Sequence, residues 1–128
     1  MGATSRNGLL RSFAVEFSDA SCLPGLRSRL RQLIPAGDGR IEAELVCTEL
    51  VTNALEHAAA PRRIRVVLDV ADLRIEVEDG SPDEPLTPGV SRFGAFRGRG
   101  LALVEALARW GIIRRAAGKT VWATLAVA

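Results

Sequence analysis

The chain has no tyrosine and only one histidine, two cysteines, two tryptophans and four phenylalanines in 128 residues, and each scarcity closes off a class of function. A single histidine, His57, cannot assemble a zinc site at the spacings such sites use. Cys22 and Cys47 stand apart, one in a loop and one in a helical pattern, and isolated cysteines fit reduced thiols better than a disulfide framework. So few aromatics leave little on which to stack bases, which weighs against an arginine-rich nucleic-acid-binding domain. Charge of one sign is missing too: 17 basic and 15 acidic residues give a net charge of +2, too balanced to argue for a nucleic-acid partner. No apolar run approaches the roughly 20 residues that cross a bilayer. The N-terminal MGATSRNGLLRSFAVEF is broken by polar residues too often for a signal peptide. The expectation is a cytoplasmic protein with no membrane and no direct nucleic-acid partner. Lysine is almost absent: every basic residue but Lys119 is arginine, a bias of composition. The clusters at Arg27 to Arg31, Arg62 to Arg65 and Arg114 to Arg115 fall at polar positions of amphipathic segments and read as solvated faces.

What is present suffices for one domain over residues 1–128, because 48% hydrophobic residues in a chain of this length fill a core without staples. There is no internal repeat and no low-complexity tail. The longest helical pattern, Asp38 to Ala59, organises the chain. Ile41, Leu45, Thr48, Thr52 and Leu55 recur at spacings of three and four and read as its buried stripe, with Asp38 as N-cap. Before it, Ser12 to Phe17 alternates as a strand with Phe13, Val15 and Phe17 on one side. A short helix follows, capped by Ser21, with Pro24 in its first turn and Leu23, Leu26, Leu30 and Leu33 inward. After the long helix, Ile64 to Val70 and Leu73 to Glu78 are β-rich and nearly contiguous, which predicts antiparallel neighbours. A helix from Gly100, with Leu101, Val104, Leu107 and Ala108 inward, is expected to end at Trp110 and Gly111. Strands at Ile112 to Arg115 and Thr120 to Val127 close the chain. Trp110 and Trp122 are expected to pack helix against sheet. The order is β, α, α, β, β, loop, α, β, β, which predicts an α+β two-layer sandwich: a mostly antiparallel sheet with helices on one face.

Three short motifs carry chemistry. Glu49 and Asn53 are four apart on the long helix and share a face; the amide oxygen can ligate magnesium and the carboxylate can orient or deprotonate a hydroxyl. A strand runs into Asp79-Gly80, where an acid can accept from an exocyclic amine while glycine makes room for a planar ring. The segment from Asp79 to Arg99, rich in proline and glycine, is a loop of about twenty residues, a length typical of functional lids. It closes on Gly98-Arg99-Gly100-Leu101 at a helix start, where free N–H groups and the helix dipole make a phosphate site. The glycines there let the backbone approach a ligand closely.

In this order the motifs resemble the nucleotide site of the GHKL, or histidine kinase-like, ATP-binding fold. The wording ELVTNALEHA and the ending GKTVWATL look most like the anti-sigma-factor serine/threonine kinases, of the stand-alone actinobacterial type. The resemblance runs from about 13 to 127, with an ATP lid at about 81–99. It implies a cytoplasmic ATP-dependent serine/threonine kinase using ATP and Mg2+, which partners a sigma factor and phosphorylates a STAS-domain anti-anti-sigma protein. A homodimer is compatible with the family. By the same resemblance Glu49 is the catalytic base, Asn53 holds magnesium, Asp79 and Gly80 read adenine and Thr120 supports the adenine pocket. Gly98, Arg99, Gly100 and Leu101 meet the phosphates. Phosphoryl transfer calls for a lid arginine, and Arg97 and Arg99 are both candidates. The chain departs from the family's Asp-x-Gly-x-Gly pattern: Ser81 and Asp83 stand where it has glycine. That departure keeps open a second reading, a non-catalytic module that captures a partner stoichiometrically.

Overall fold

A computed structural model describes residues 10–81 and 102–127. Strand β1 (Leu10–Glu16) leads through a 3-10 turn (Ala20–Cys22) into helix α1 (Leu23–Leu33), and α2 (Asp38–His57) follows. Strands β2 (Arg63–Asp69) and β3 (Asp72–Asp79) form a hairpin. Residues 102–107 are helical (α3), and β4 (Arg109–Arg115) and β5 (Gly118–Ala126) complete the chain. The sheet order is β1-β2-β3-β5-β4 with every pair antiparallel. Helices pack on the sheet, giving the expected α+β architecture.

The strands form where apolar residues alternate. On β3, Leu73, Ile75, Val77 and Asp79 are buried; across from them in register on β5 stand Leu125, Ala123, Val121 and Lys119. Apolar residues of α1 and α2 close over this row, with Leu26 and Leu30 from α1 and Val46, Leu50 and Val51 from α2 fully covered. Burying side chains of this size contributes roughly 1.5–3 kcal/mol each before the entropy of ordering them.

Local differences from the sequence reading each have a cause. Asp19, not Ser21, caps the turn before α1: its carboxylate accepts from the Ser21 N–H at 2.8 Å and from the Ser21 hydroxyl. Gly37, at φ 146°, is the N-cap of α2, and Asp38 is already helical in its first turn, where a negative charge suits the helix dipole. The stripe assigned to the core of α2 is the wrong one. Ile41 is 59% exposed and Leu45 43%, whereas Ala43, Val46, Cys47, Leu50, Val51, Asn53 and Ala54 are buried. This helix is apolar nearly all round, so spacing alone did not choose the face. Ala43, Cys47 and Ala54, with small side chains, lie in the buried layer. The Cys47 thiol, in that layer, is pushed up to about 12, chiefly by burial. The helix ends at His57, where the Ala58 N–H donates to the Ala54 carbonyl and Arg62 donates to the same carbonyl at 3.1 Å and to the Ala58 carbonyl at 2.8 Å, tying down the helix end.

Trp110 and Gly111 belong to β4 rather than to a helix end, and β5 begins at Gly118, two residues early. Trp122 does not pack helix to sheet: it alternates onto the outer face, with the Arg74 guanidinium 4.7 Å over its ring. Gly111 seats it, since a Cβ there would come within 2.7 Å of the indole.

The β2–β3 hairpin turns through Val70 and Ala71, and Val70 lies at φ 60° with its side chain 65% exposed. A β-branched residue in the left-handed region costs roughly 1–2 kcal/mol, and asparagine tolerates it. Val70→Asn is therefore expected to raise the unfolding free energy by about 1 kcal/mol. A higher urea midpoint at unchanged slope would register it; an unmoved midpoint would mean that the hairpin carries no such strain.

Candidate functional site

At one end of the sheet the core row stops being apolar. Leu50, Asn53, Ala54 and Ala58, from α2 and the residue after it, face Val77, Asp79, Lys119 and Val121 from β3 and β5 across a slot. Its free volume is about 10 Å³, close to what one water needs. Its walls are aliphatic and its polar groups are three: an amide, a carboxylate and an ammonium.

Asn53 is only 6% exposed, and its amide nitrogen is buried with no hydrogen-bond partner among the described residues. Buried polar groups nearly always have partners, so an orphan on the wall of a slot points to a ligand atom. A half-turn of the amide would present oxygen there instead of nitrogen, so the side chain can serve a donor or a metal ion. Asp79 is 7% exposed. Lys119, at 2%, meets it directly: Nζ lies 2.9 Å from Oδ2 and 3.1 Å from Oδ1. The strand register makes this pair, since Asp79 and Lys119 are Cα partners in the β3–β5 ladder. Gly118 permits it, because a Cβ there would collide with the Asp79 carbonyl oxygen.

The turn after Asp79 is tied on three sides. Ser81 N–H donates to Asp79 Oδ1 at 2.8 Å, the Ser81 carbonyl accepts from Lys119 Nζ at 3.1 Å, and Ser81 Oγ accepts from the Ala59 N–H at 2.6 Å. Gly80 N–H donates to the Ala59 carbonyl at 2.8 Å. A Cβ on Gly80 would lie 2.5 Å from the Ala60 carbonyl oxygen, so this glycine makes room for the neighbouring backbone. Serine at position 81, where the family pattern has glycine, is thus part of the same hydrogen-bonded cluster as Lys119.

Glu49 sits one turn before Asn53 on α2 but outside the slot wall. Burial, with a smaller contribution from the Glu56 carboxylate, pushes its carboxyl above the usual glutamate range. Thr120 does not join the site. It faces the other side of β5, where its hydroxyl accepts from Arg115, at 2.7 Å from Nη1. Arg97, Gly98, Arg99, Gly100, Leu101 and almost all of the expected lid lie outside the described residues. Of the predicted residues, then, Asn53 and Asp79 meet in one slot, Glu49 stands beside it, and Lys119 was missed. Two signals could have found Lys119: it is the sole lysine of an arginine-based chain, and the alternation Val121, Ala123, Leu125 gives position 119 the inward side. Among the described residues no group of three or more His, Cys, Asp or Glu could hold a metal ion, and no helix is long and apolar enough to cross a membrane.

The fold has solved counterparts. The RsbU and RsbW domains of a Mycobacterium tuberculosis protein superpose with a TM-score of 0.60 at 19% identity, covering 91% of this chain and 32% of that one. The histidine kinase domain of the blue-light activated histidine kinase of Erythrobacter litoralis EL346 gives 0.55 at 22% identity, covering 84% and 60%. The histidine kinase AdeS of Acinetobacter baumannii gives 0.52 at 19% identity, covering 98% and 73%. The chain thus spans less than two thirds of the first two. At these identities the likeness is one of fold. No curated protein matches the chain in sequence. Residues 39–128, from the first turn of α2 through β5, match the family model described as histidine kinase-, DNA gyrase B- and HSP90-like ATPase, and the chain belongs to that family.

Proposed function

We propose that this chain is an ATP-dependent serine/threonine protein kinase of the anti-sigma-factor type, which phosphorylates a serine of a STAS-domain antagonist and, in its other state, holds a sigma factor. The observation that carries the nucleotide half is the orphaned Asn53 amide facing Asp79 across an aliphatic slot. Family membership implies an ATP site, and the slot's aliphatic residues Leu50, Ala54 and Val121 stand beside Asp79, where a base would pack. The partner half is supported by the wording ELVTNALEHA and by the fold shared with an RsbW domain.

The donor set fits magnesium only in the manner usual for nucleotide enzymes, one protein oxygen with phosphates completing the shell. Asn53 would hold the ion, which when bound neutralises phosphate charge. Asp79 accepts from the base amine, and Glu49 accepts the proton of the attacking serine hydroxyl. Its raised pKa suits a base, since proton acceptors work best when tuned toward the operating pH.

A second reading rests on the slot itself. With about 10 Å³ free and Asp79 already paired to Lys119, the same chain serves as a module that captures a partner without phosphotransfer. Incubation with labelled ATP, Mg2+ and STAS partners separates the two, since a pure binder leaves its partner unlabelled.

Calorimetric titration with ATP is expected to show magnesium-dependent binding that Asn53→Ala weakens by about tenfold or more, the loss of roughly one strong contact. Equal magnesium dependence in the variant would remove Asn53 from the metal role. Glu49→Gln is expected to keep ATP affinity and lower phosphotransfer by about a hundredfold or more. For the unmodified chain, the rate should rise with pH through the raised Glu49 pKa, its acid limb above the ordinary glutamate range. The same upshift means that folding favours protonated Glu49. Its stabilising contribution is therefore complete at low pH and is lost as pH rises through the folded value, and Glu49→Gln removes that slope. An acid limb that persists unchanged in Glu49→Gln would assign the base elsewhere.

A further inference from the structure

Lys119 has no role in the reaction outlined above, yet it is the largest fully buried side chain among the described residues. Its ammonium carries three N–H donors and contacts two groups, the Asp79 carboxylate and the Ser81 carbonyl. The two carboxylate oxygens face a single N–H and the Ser81 carbonyl takes a second, so among the described residues one donor is left over. The Asp79 carboxylate has a matching surplus: Oδ1 accepts from both Ser81 N–H and Lys119, whereas Oδ2 faces the ammonium at 2.9 Å and has no other partner among the described residues. Both groups line the slot, beside the aliphatic walls of Leu50, Ala54 and Val121.

We propose that Lys119 is a specificity-determining residue of the base subsite, reading the ring nitrogen next to the exocyclic amine of adenine while Asp79 reads the amine. This rests on the nucleotide reading above. The spare N–H and the spare acceptor sit on atoms 2.9 Å apart, so the slot presents a donor and an acceptor side by side. An amine beside an unprotonated ring nitrogen is the complementary edge. A base with a carbonyl beside a protonated ring nitrogen offers the same two polarities in reverse order. Donor and acceptor cannot exchange places to suit it. The strand register fixes Asp79 opposite Lys119, and the bond to the Ser81 carbonyl holds the ammonium on one side. A hydrogen bond from a buried ammonium is also stronger than one from a neutral group.

The test uses the full chain and measures affinity by competition against a fluorescent ATP analogue, with four ligands. ATP offers amine and ring nitrogen, 1-deaza-ATP has C–H in place of that nitrogen, purine riboside triphosphate lacks the amine, and GTP has the reversed edge. The unmodified chain is expected to bind ATP best and to lose about tenfold or more with each of the other three. In Lys119→Met, ATP and 1-deaza-ATP should become equal while purine riboside triphosphate stays weaker. This ligand-by-residue coupling is something that a merely structural lysine would not produce. The variant leaves Asp79 buried without its counter-charge. Should it not fold, the series on the unmodified chain decides. ATP binding with no discrimination against 1-deaza-ATP, discrimination that survives in Lys119→Met, or preference for GTP would each overturn the assignment of Lys119 while the nucleotide site stands. Failure of all four ligands to bind would overturn the nucleotide reading and this one with it.

Discussion

Two opposite charges withdrawn from water at the ends of neighbouring strands set the terms for this end of the molecule. A buried carboxylate or ammonium left alone costs several kcal/mol, so each must find its partner. Asp79 and Lys119 do so only because the β3–β5 register sets them opposite one another and Gly118 lets the strands close. The turn that follows is then no longer free. Ser81 gives its N–H to the carboxylate and its carbonyl to the ammonium, and its hydroxyl reaches across to the Ala59 N–H. In this way the end of β3 is joined to the residues that leave α2, and Arg62 ties those residues back to the helix.

Much of this was legible in the sequence, and the failures share a cause. The hairpin of β2 and β3 and the existence of α2 follow from alternation and helical spacing, and the motif order names Asn53 and Asp79, which line one slot. What failed was the choice between faces. On α2 apolar residues occur on nearly every side, so by spacing alone Ile41 and Leu45 made as good a stripe as Val46 and Leu50, which are the buried ones. On β5 the error was a single position. Strand side chains alternate, so choosing Thr120 over Lys119 exchanges the slot side of the sheet for the outer one. Inward-facing Val121 and Ala123 already determine that parity; placing the strand's start at 120 obscured it. A lysine was also an unattractive choice for a buried wall. The residue types that almost never go fully inside without a partner are informative when they do.

Glu49 and Asn53 show how one helix gives two neighbours different chemistry. A single turn separates them, but Asn53 lies under the protein with an unused amide, whereas Glu49 lies at the margin, where partial burial and Glu56 resist its ionisation. A buried amide and a half-buried carboxyl thus share one backbone. Their spacing is set by the helix and needs no loop to maintain it.

The union of Asp79 and Lys119 across two strands has a thermodynamic corollary. A ligand that bonded both residues would bridge β3 to β5 as well as fill the slot, and it would bind the folded chain alone. Occupancy and folding would then be one linked equilibrium: each tenfold of ligand above its dissociation constant adds about 1.4 kcal/mol to the stability of the sheet. For a chain of this size, the resting level of ligand in its surroundings would set how firmly the end of the sheet is held shut.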